Sequence, residues 1–337
     1  MAYEVERQVA VEAVAKACRL CEAVRQGVPA KRALSKKDRS PVTVADFGSQ
    51  ALICRSLAQA FGRDPVAAEE DSTALRSEAG AATRAMVIQH VAAIWPGLSD
   101  QDVLDAIDRG GHEGGATGRF WALDPVDGTK GFLRDGQYAV ALALIEDGVV
   151  KLAVLGCLRL PAGPANPAGP RGRLFLAVRG QGAMERGLDH GEWEPVKTAP
   201  AADPAGMILC ESVEPGHSSH ADAARVAELM GARRPPLRMD SQCKYAAVAR
   251  GDATAYLRLP TRPDYFETVW DHAAGSLVVT EAGGRVTDVR GRELVFSAGR
   301  RLKFNGGIVA SNGALHSPLL AAVKQALQEA KDRQPRT

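Results

Sequence analysis

The sequence predicts a layered α/β fold of the α+β type: N-terminal helices with an antiparallel sheet, then a mixed or parallel sheet covered by helices. A chain of 337 residues is too large for one small core and suggests two domains or one large layered one. Between Tyr138 and Arg186, successive strand-like runs are joined by short turns, the connection that an antiparallel sheet allows. From about residue 205, strand and helix patterns alternate, which argues for a mostly parallel or mixed sheet with helices packed on it. The change of pattern puts a boundary near residue 200, inside the Thr198–Pro204 linker, and gives expected domains of 1–200 and 201–337.

Taken in order, Val5, Val9, Val14, Cys18, Cys21 and Val24 recur at helical spacing, so an amphipathic helix runs to about residue 26 and stops at Gly27 and Pro29. A basic, polar loop, Lys31 to Ser40, leads to a second helix that ends near Phe61, before Gly62 and Pro65. Helices are expected around Ala82–Ile94 and Asp100–Asp108, then a glycine-rich run from Gly110 to Gly115 that reads as a surface loop or a lid. Strands follow at Tyr138–Ile145 and Val149–Leu158 about an Asp147-Gly148 turn, and at Leu174–Val178 and Ala183–Arg186, with an exposed Pro/Gly/Ala loop over about 161–172. In the second half, strands are expected at Met207–Ser212, Leu237–Met239, Ala253–Leu259, Arg285–Val289 and Gly307–Ala310. Helices are expected at Ala221–Met230, Gln242–Val248, His272–Glu281 and Leu315 to about Lys331.

Composition narrows the function classes. A formal charge of only +2 leaves no basic footprint for a nucleic-acid polymer and no membrane-surface attraction. Apolar runs such as Tyr138–Ile145 are far shorter than a bilayer span. The N-terminus is acidic and polar rather than basic and then apolar, and the six cysteines lack disulfide-scaffold spacing, so a reducing cytoplasm is expected. Cys18 and Cys21 form a CxxC, but at helical spacing they share one face, and core packing is the expected role.

The chemistry concentrates in Phe120–Phe132. There an apolar run ends in Asp124 and Asp127, with Pro125 between them and Gly128-Thr129 after. Proline and glycine bend the chain so that both carboxylates and the Val126 carbonyl can converge on a hard-cation site. Asp-Pro-x-Asp-Gly is equally ordinary turn chemistry, and locally both readings stand. Asp46 can cap its helix with Thr43, Glu69-Glu70-Asp71 can be a solvated loop edge, and Asp271 can cap the helix after it.

Taken together, Glu69-Glu70, Asp124–Thr129 (DPVDGT) and Trp270–Gly275 (WDHAAG) resemble the lithium-sensitive, magnesium-dependent inositol monophosphatase superfamily. Within it, residues 36–43 (KKDRSPVT), 114–133, 217–220 (HSSH), 240–245 (DSQCKY) and 256–260 (YLRLP) are most similar to the 3′(2′),5′-bisphosphate nucleotidases. Ala68 and Asp71 depart from the family pattern, which has glycine and serine there.

The resemblance implies an enzyme that hydrolyses the 3′-phosphate of adenosine 3′,5′-bisphosphate, or of its sulfated form, through cation-activated water. It implies two or three Mg²⁺ held by Glu69, Asp124, the Val126 carbonyl, Asp127 and Asp271, with Asp46 near a further ion. An all-oxygen set of this kind favours Mg²⁺ over Zn²⁺. Asp46 and Thr129 would orient the attacking water, and Gly128 and Thr129 would offer backbone N–H groups to a phosphate oxygen. His217, Ser241, Lys244 and Arg258 would take the nucleoside and the second phosphate. An inositol phosphate phosphatase and a non-catalytic nucleotide-phosphate sensor are the alternatives. The partner expected is a small-molecule nucleotide bisphosphate, and oligomeric state is not readable.

Overall fold

The apolar stripe of the first helix, α1 (Glu4–Gly27), buries Val14, Cys18, Cys21 and Val24 against α2 (Val44–Ala60). The computed structural model describes residues 3–27, 34–35, 41–163, 169–200, 202–214, 216, 219–262 and 265–333, so most of the Lys31–Ser40 loop lies outside the described residues. Leu34–Ser35 (β1) and Pro41–Val42 (β2) form a short antiparallel pair before α2. At the start of α2, Thr43 and Asp46 close a reciprocal capping box, which satisfies backbone N–H groups that have no partner within the helix. The CxxC lies in the core, where Cys21 Sγ meets Ser49 Oγ at 3.1 Å and burial pushes the Cys21 thiol up to about 12.

Val66–Ala68 (β3) leads to α3 (Thr73–Arg76), α4 (Ala81–Ile94) and α5 (Asp100–Asp108), and the chain returns as β4 (Arg119–Asp127), parallel to β3. A short helix, α6 (Thr129–Leu133), precedes β5 (Ala139–Glu146), β6 (Val149–Pro161), β7 (Arg171–Val178), β8 (Ala183–Gly187) and β9 (Glu194–Pro195). These strands form a seven-stranded sheet in sequence order, antiparallel apart from the β3–β4 pair. The Asp147-Gly148 turn has both central residues at positive φ, 49° and 73°, the twist that suits a tight hairpin.

The second half alternates as expected: β10 (Leu209–Glu211), α7 (His220–Met230), β11 (Leu237–Arg238), α8 (Cys243–Ala249), β12 (Ala255–Arg258), α9 (Ala273–Glu281), β13 (Arg285–Thr287), β14 (Ile308–Ser311) and α10 (His316–Arg333). Its sheet runs β11-β10-β12-β14-β13, parallel across the first three strands and antiparallel at β14. The mixed sheet covered by helices is therefore present.

Strand alternation sets the layers. In β4, Trp121 and Leu123 face α1 and α2, while Phe120 and Ala122 face the other way, toward α8 and α9. On the far side of α8 and α9 lies the inner face of the second sheet, with Cys210, Tyr256 and Ala310. Leu209, Leu257 and Val309 point outward against α7 and α10. The order is helix, sheet, helix, sheet, helix. The two sheets divide at the expected linker near residue 200, yet the middle apolar layer draws on both sides of it. Among the described residues no helix is long and apolar enough to cross a membrane.

Candidate active site

β4 brings its two aspartates to one side by breaking its own register. Asp124 pairs with Ala141 and Asp127 with Ala139, so three steps on β4 match two on β5. In a regular strand, residues three apart point to opposite faces; one extra residue restores the same face. Pro125, without an N–H for the ladder, sits inside this bulge. Gly128 then turns the chain with φ 86°, and a Cβ there would lie 3.0 Å from the Ser241 side chain, so the second half comes close at this turn.

Thr129 opens α6, and its hydroxyl lies 3.2 Å from Asp46 Oδ1 and 3.2 Å from the Val126 carbonyl. Asp46 Oδ2 accepts from Thr43 N at 2.8 Å and Thr43 Oγ1 at 2.6 Å. Capping and the approach to Thr129 thus use different oxygens of one carboxylate. Asp46 is 1% exposed and stands behind Thr129 rather than in the cavity lining. Glu69 follows the end of β3. Gln50 of α2 fixes that turn by donating to the Glu70 and Ile107 carbonyls at 2.6 and 2.8 Å and accepting from Glu70 N at 3.1 Å.

One cavity of about 230 Å³ gathers the expected residues from both halves. Glu69, Asp124, Val126, Asp127, Gly128 and Thr129 line it from the first half; Ser241, Lys244, Arg258 and Asp271 line it from the second. His217 lies outside the described residues. Gln242 joins the halves: its N–H donates to Asp127 Oδ2 at 2.6 Å, its side-chain Nε2 to the Trp270 carbonyl at 2.9 Å, and its Oε1 accepts from Gly275 N at 2.9 Å. Ser241 holds a positive φ of 66°, a strained conformation at the point of contact with Gly128.

Charges of both signs line the cavity. Burial, then the neighbouring Asp271, pushes the Asp127 carboxyl up to about 7. Two carboxylates that resist being charged together, lining one cavity with Glu69 and Asp124 and no thiol, fit a hard divalent cation, which would relieve the repulsion. Lys244, which lines the same cavity, is buried, and its ammonium donates to the Ser241 and Met239 carbonyls at 2.8 and 3.4 Å. Burial lowers its pKa, and Asp127 draws it partly back. Arg258 is clamped by Glu267 through Nε at 2.8 Å and Nη2 at 2.7 Å, and Nη2 lies 3.9 Å from Asp271.

Among the described residues, Glu267, Asp271 and His272 offer three ligand atoms within 4.8 Å of one another. That cluster is an ion-pair network: burial would raise the Glu267 carboxyl, but Arg258 and His272 override it and hold it at about 2. His272 Nδ1 in turn meets the Tyr245 hydroxyl at 2.8 Å. Gln50, Gln242, Glu267 and Tyr265, a 41% exposed aromatic at the cavity, are site residues that motif reading did not single out. Gln242 and Glu267 lie inside or next to the recognised motifs, and proximity in sequence was the only available signal.

Comparison with known proteins identifies the family. The sequence model of the inositol monophosphatase family matches residues 2–328. The protein named 3′(2′),5′-bisphosphate nucleotidase in Emericella nidulans is 43% identical over 97% of this chain and 100% of its own length. Its Schizosaccharomyces pombe namesake is 41% identical over 96% of each chain, and that of Oryza sativa 43% identical over 97% of this chain and 96% of its own. Among solved structures, the Thermotoga maritima IMPase aligns with a TM-score of 0.64 over 95% of this chain and 96% of its own, at 21% identity. Extragenic suppressor protein suhB from Bartonella henselae aligns with a TM-score of 0.65 over 96% and 99%, also at 21%. At that identity the structural likeness concerns the fold, and the full-length match to the family carries the assignment: the chain belongs to the inositol monophosphatase family and is a phosphatase.

Proposed function

We propose that this phosphatase removes the 3′-phosphate of adenosine 3′,5′-bisphosphate to give AMP and phosphate, with the sulfated form as a second substrate. The observation that carries this reading is that one cavity holds both the carboxylate cluster and two cationic side chains, Lys244 and Arg258. A phosphate being cleaved belongs on the carboxylate side, and a second phosphate, held but not cleaved, belongs on the cations. An adjoining cavity of about 200 Å³ shares Arg258 and Tyr265 with the first and leaves room for a nucleoside. The names of the full-length relatives support the same substrate class.

In this reading, Glu69, Asp124, the Val126 carbonyl, Asp127 and Asp271 hold two or three Mg²⁺, with Asp46 near a further one. The chemistry that Mg²⁺ supplies when bound is charge neutralisation and a lowered pKa for water. The chain's own part is placement. The Thr129 hydroxyl has one proton and two acceptors, Asp46 Oδ1 and the Val126 carbonyl. When that proton points to Asp46, an oxygen lone pair is left to orient the attacking water, and Asp46 is the base behind it. The water oxygen bonds to phosphorus as the bond to O3′ breaks. Gly128 and Thr129 offer individual N–H groups to a phosphate oxygen, since the five-residue α6 is too short for a sizeable macrodipole. Lys244, with two of its three N–H groups on carbonyls, keeps one for the second phosphate. Ser241 completes the nucleoside contacts among the described residues, and His217 is assigned to the nucleoside by the family resemblance alone.

Residues 1–200 would then be the unit supplying most cation ligands, and 201–337 the unit supplying Asp271 and the nucleotide contacts. Six free, buried cysteines agree with a cytoplasmic setting. A phosphate-release panel over adenosine 3′,5′-bisphosphate, its sulfated form and inositol phosphates, with and without Mg²⁺ and Li⁺, tests the reading. The expected result is Mg²⁺-dependent, Li⁺-inhibited release with the highest kcat/KM for the bisphosphates. A strong preference for an inositol phosphate would overturn the substrate and keep the reaction class, and tight binding without release at saturating Mg²⁺ would favour a sensor.

A further inference from the structure

Arg300 lies outside every recognised motif, yet its guanidinium reaches three main-chain carbonyls on two segments, one of them directly before Glu69. Its Nη1 donates to the Gly110 carbonyl at 3.2 Å and the His112 carbonyl at 2.9 Å, and its Nη2 donates to the Ala68 carbonyl. The guanidinium carbon stands over the Trp270 ring, 4.5 Å from its centroid, and the Arg300 carbonyl accepts from Val269 N at 3.0 Å. Ala68 is the residue before Glu69, and Trp270 the residue before Asp271. One residue therefore connects the backbone before a carboxylate of the first half, through its side chain, to the segment before a carboxylate of the second, through its carbonyl and its contact with the Trp270 ring. It also straps down the start of the glycine-rich run. Gly110 already accepts from Ala68 N at 2.9 Å, and Gly114 lies so close to Gly299 that an added Cβ would stand 3.1 Å from its carbonyl carbon.

We propose that Arg300 is a positioning residue that sets the spacing of Glu69 and Asp271 and thereby the affinity of the cavity for divalent cations. The inference rests on the cation-dependent reading of the cavity given above. A planar fork that feeds several carbonyls while stacking on an indole is a task for arginine and not for lysine. The electrostatic alternative has the opposite sign. Glu113, Asp71 and Glu69 all act on the Arg300 charge, so removing that charge would by Coulomb attraction alone tighten cation binding. Loss of positioning weakens it.

The test is isothermal titration calorimetry of the full chain with MgCl₂ and with MnCl₂, without substrate, on wild type, Arg300→Met, Arg300→Lys and Arg301→Met. Arg301 is the charge control; among the described residues its Nη1 donates to the Phe266 carbonyl, at 3.0 Å, in an exposed contact. Both Arg300 variants are expected to bind the cation roughly 10–100-fold more weakly, the usual cost of losing a group that holds a ligand in place. Arg301→Met is expected to match wild type or bind slightly more tightly. Circular dichroism establishes folding, and Arg300→Lys carries the test if Arg300→Met is unfolded. Unchanged or tighter binding in the folded Arg300 variants overturns the proposal while the cation reading stands. A wild-type chain that takes up no divalent cation removes the cation reading, and the proposal with it.

Discussion

One oxygen of Asp46 is held by Thr43 while the other faces Thr129, so the helix cap keeps the carboxylate in a single orientation for the hydroxyl it serves. Asp127 is fixed in the same manner by the Gln242 N–H at 2.6 Å, and Lys244 by two carbonyls. These anchors separate two effects. Asp127→Asn removes an anionic ligand, and kcat at saturating substrate should fall by more than about 100-fold, beyond what loss of a supporting group costs. Lys244→Ala removes a charge-assisted contact present in ground and transition states, so KM for the bisphosphate should rise about 10–100-fold with kcat little changed. Steady-state kinetics on both variants decides; an active Asp127→Asn enzyme, or an unmoved KM in Lys244→Ala, would falsify the site map. That Asp124 and Asp127 line one cavity fits the bend that Pro125 and Gly128 announce, though that bend alone reads equally as an ordinary turn and the family resemblance is what marks the pair as ligands. Gln242 and Arg300 were not legible as parts of the site, because their meaning lies in remote partners; Gln242 meets Asp127 across 115 positions of chain and Arg300 meets Ala68 across 232.

At the scale of elements, period decides what a sequence reveals. α1 and α10 are long and amphipathic and were readable to within a residue or two at most ends. β3 has three residues and α6 five, too few to display any period, yet β3 delivers Glu69 and α6 delivers Thr129. The bulge in β4 was hidden as well, since a sequence lists residues and not the register of their partners. Packing of α8 on α9 shows how narrow the tolerance is beside the site. A Cβ on Gly275 would stand 2.2 Å from the Tyr245 ring, and that ring carries the hydroxyl bonded to His272. Gly275→Ala should therefore displace Tyr245 and cost about 1–3 kcal/mol through overpacking, despite alanine's better helix propensity. Urea unfolding of the variant measures this, and a stability equal to or above wild type would show that the helices can part without penalty.

For the whole molecule, the first sheet ends at Pro195 and the second begins at Leu209, and the sequence pattern does not show how the halves are joined. The pattern of β5 contains the reason. Ala139, Ala141, Ala143 and Ile145 face α8 and α9, which belong to the second half, while Val140, Leu142 and Leu144 face α1 and α2. Both faces of the first sheet are apolar, so neither half can be removed without exposing a broad hydrophobic surface. The small side chains on the inner face let α8 and α9 approach closely, and the same approach carries Ser241, Gln242 and Asp271 to the cavity. Site assembly and core assembly are one event. It follows that the chain should unfold in a single cooperative transition, with near-ultraviolet circular dichroism, far-ultraviolet circular dichroism and phosphatase activity lost at the same denaturant concentration. A fragment ending at residue 200 should fail to form a monomeric native sheet. Two resolved transitions, or a 1–200 fragment with native-like hydrogen-exchange protection in β4 and β5, would mean that the middle layer is an interface between two independent domains rather than a shared core.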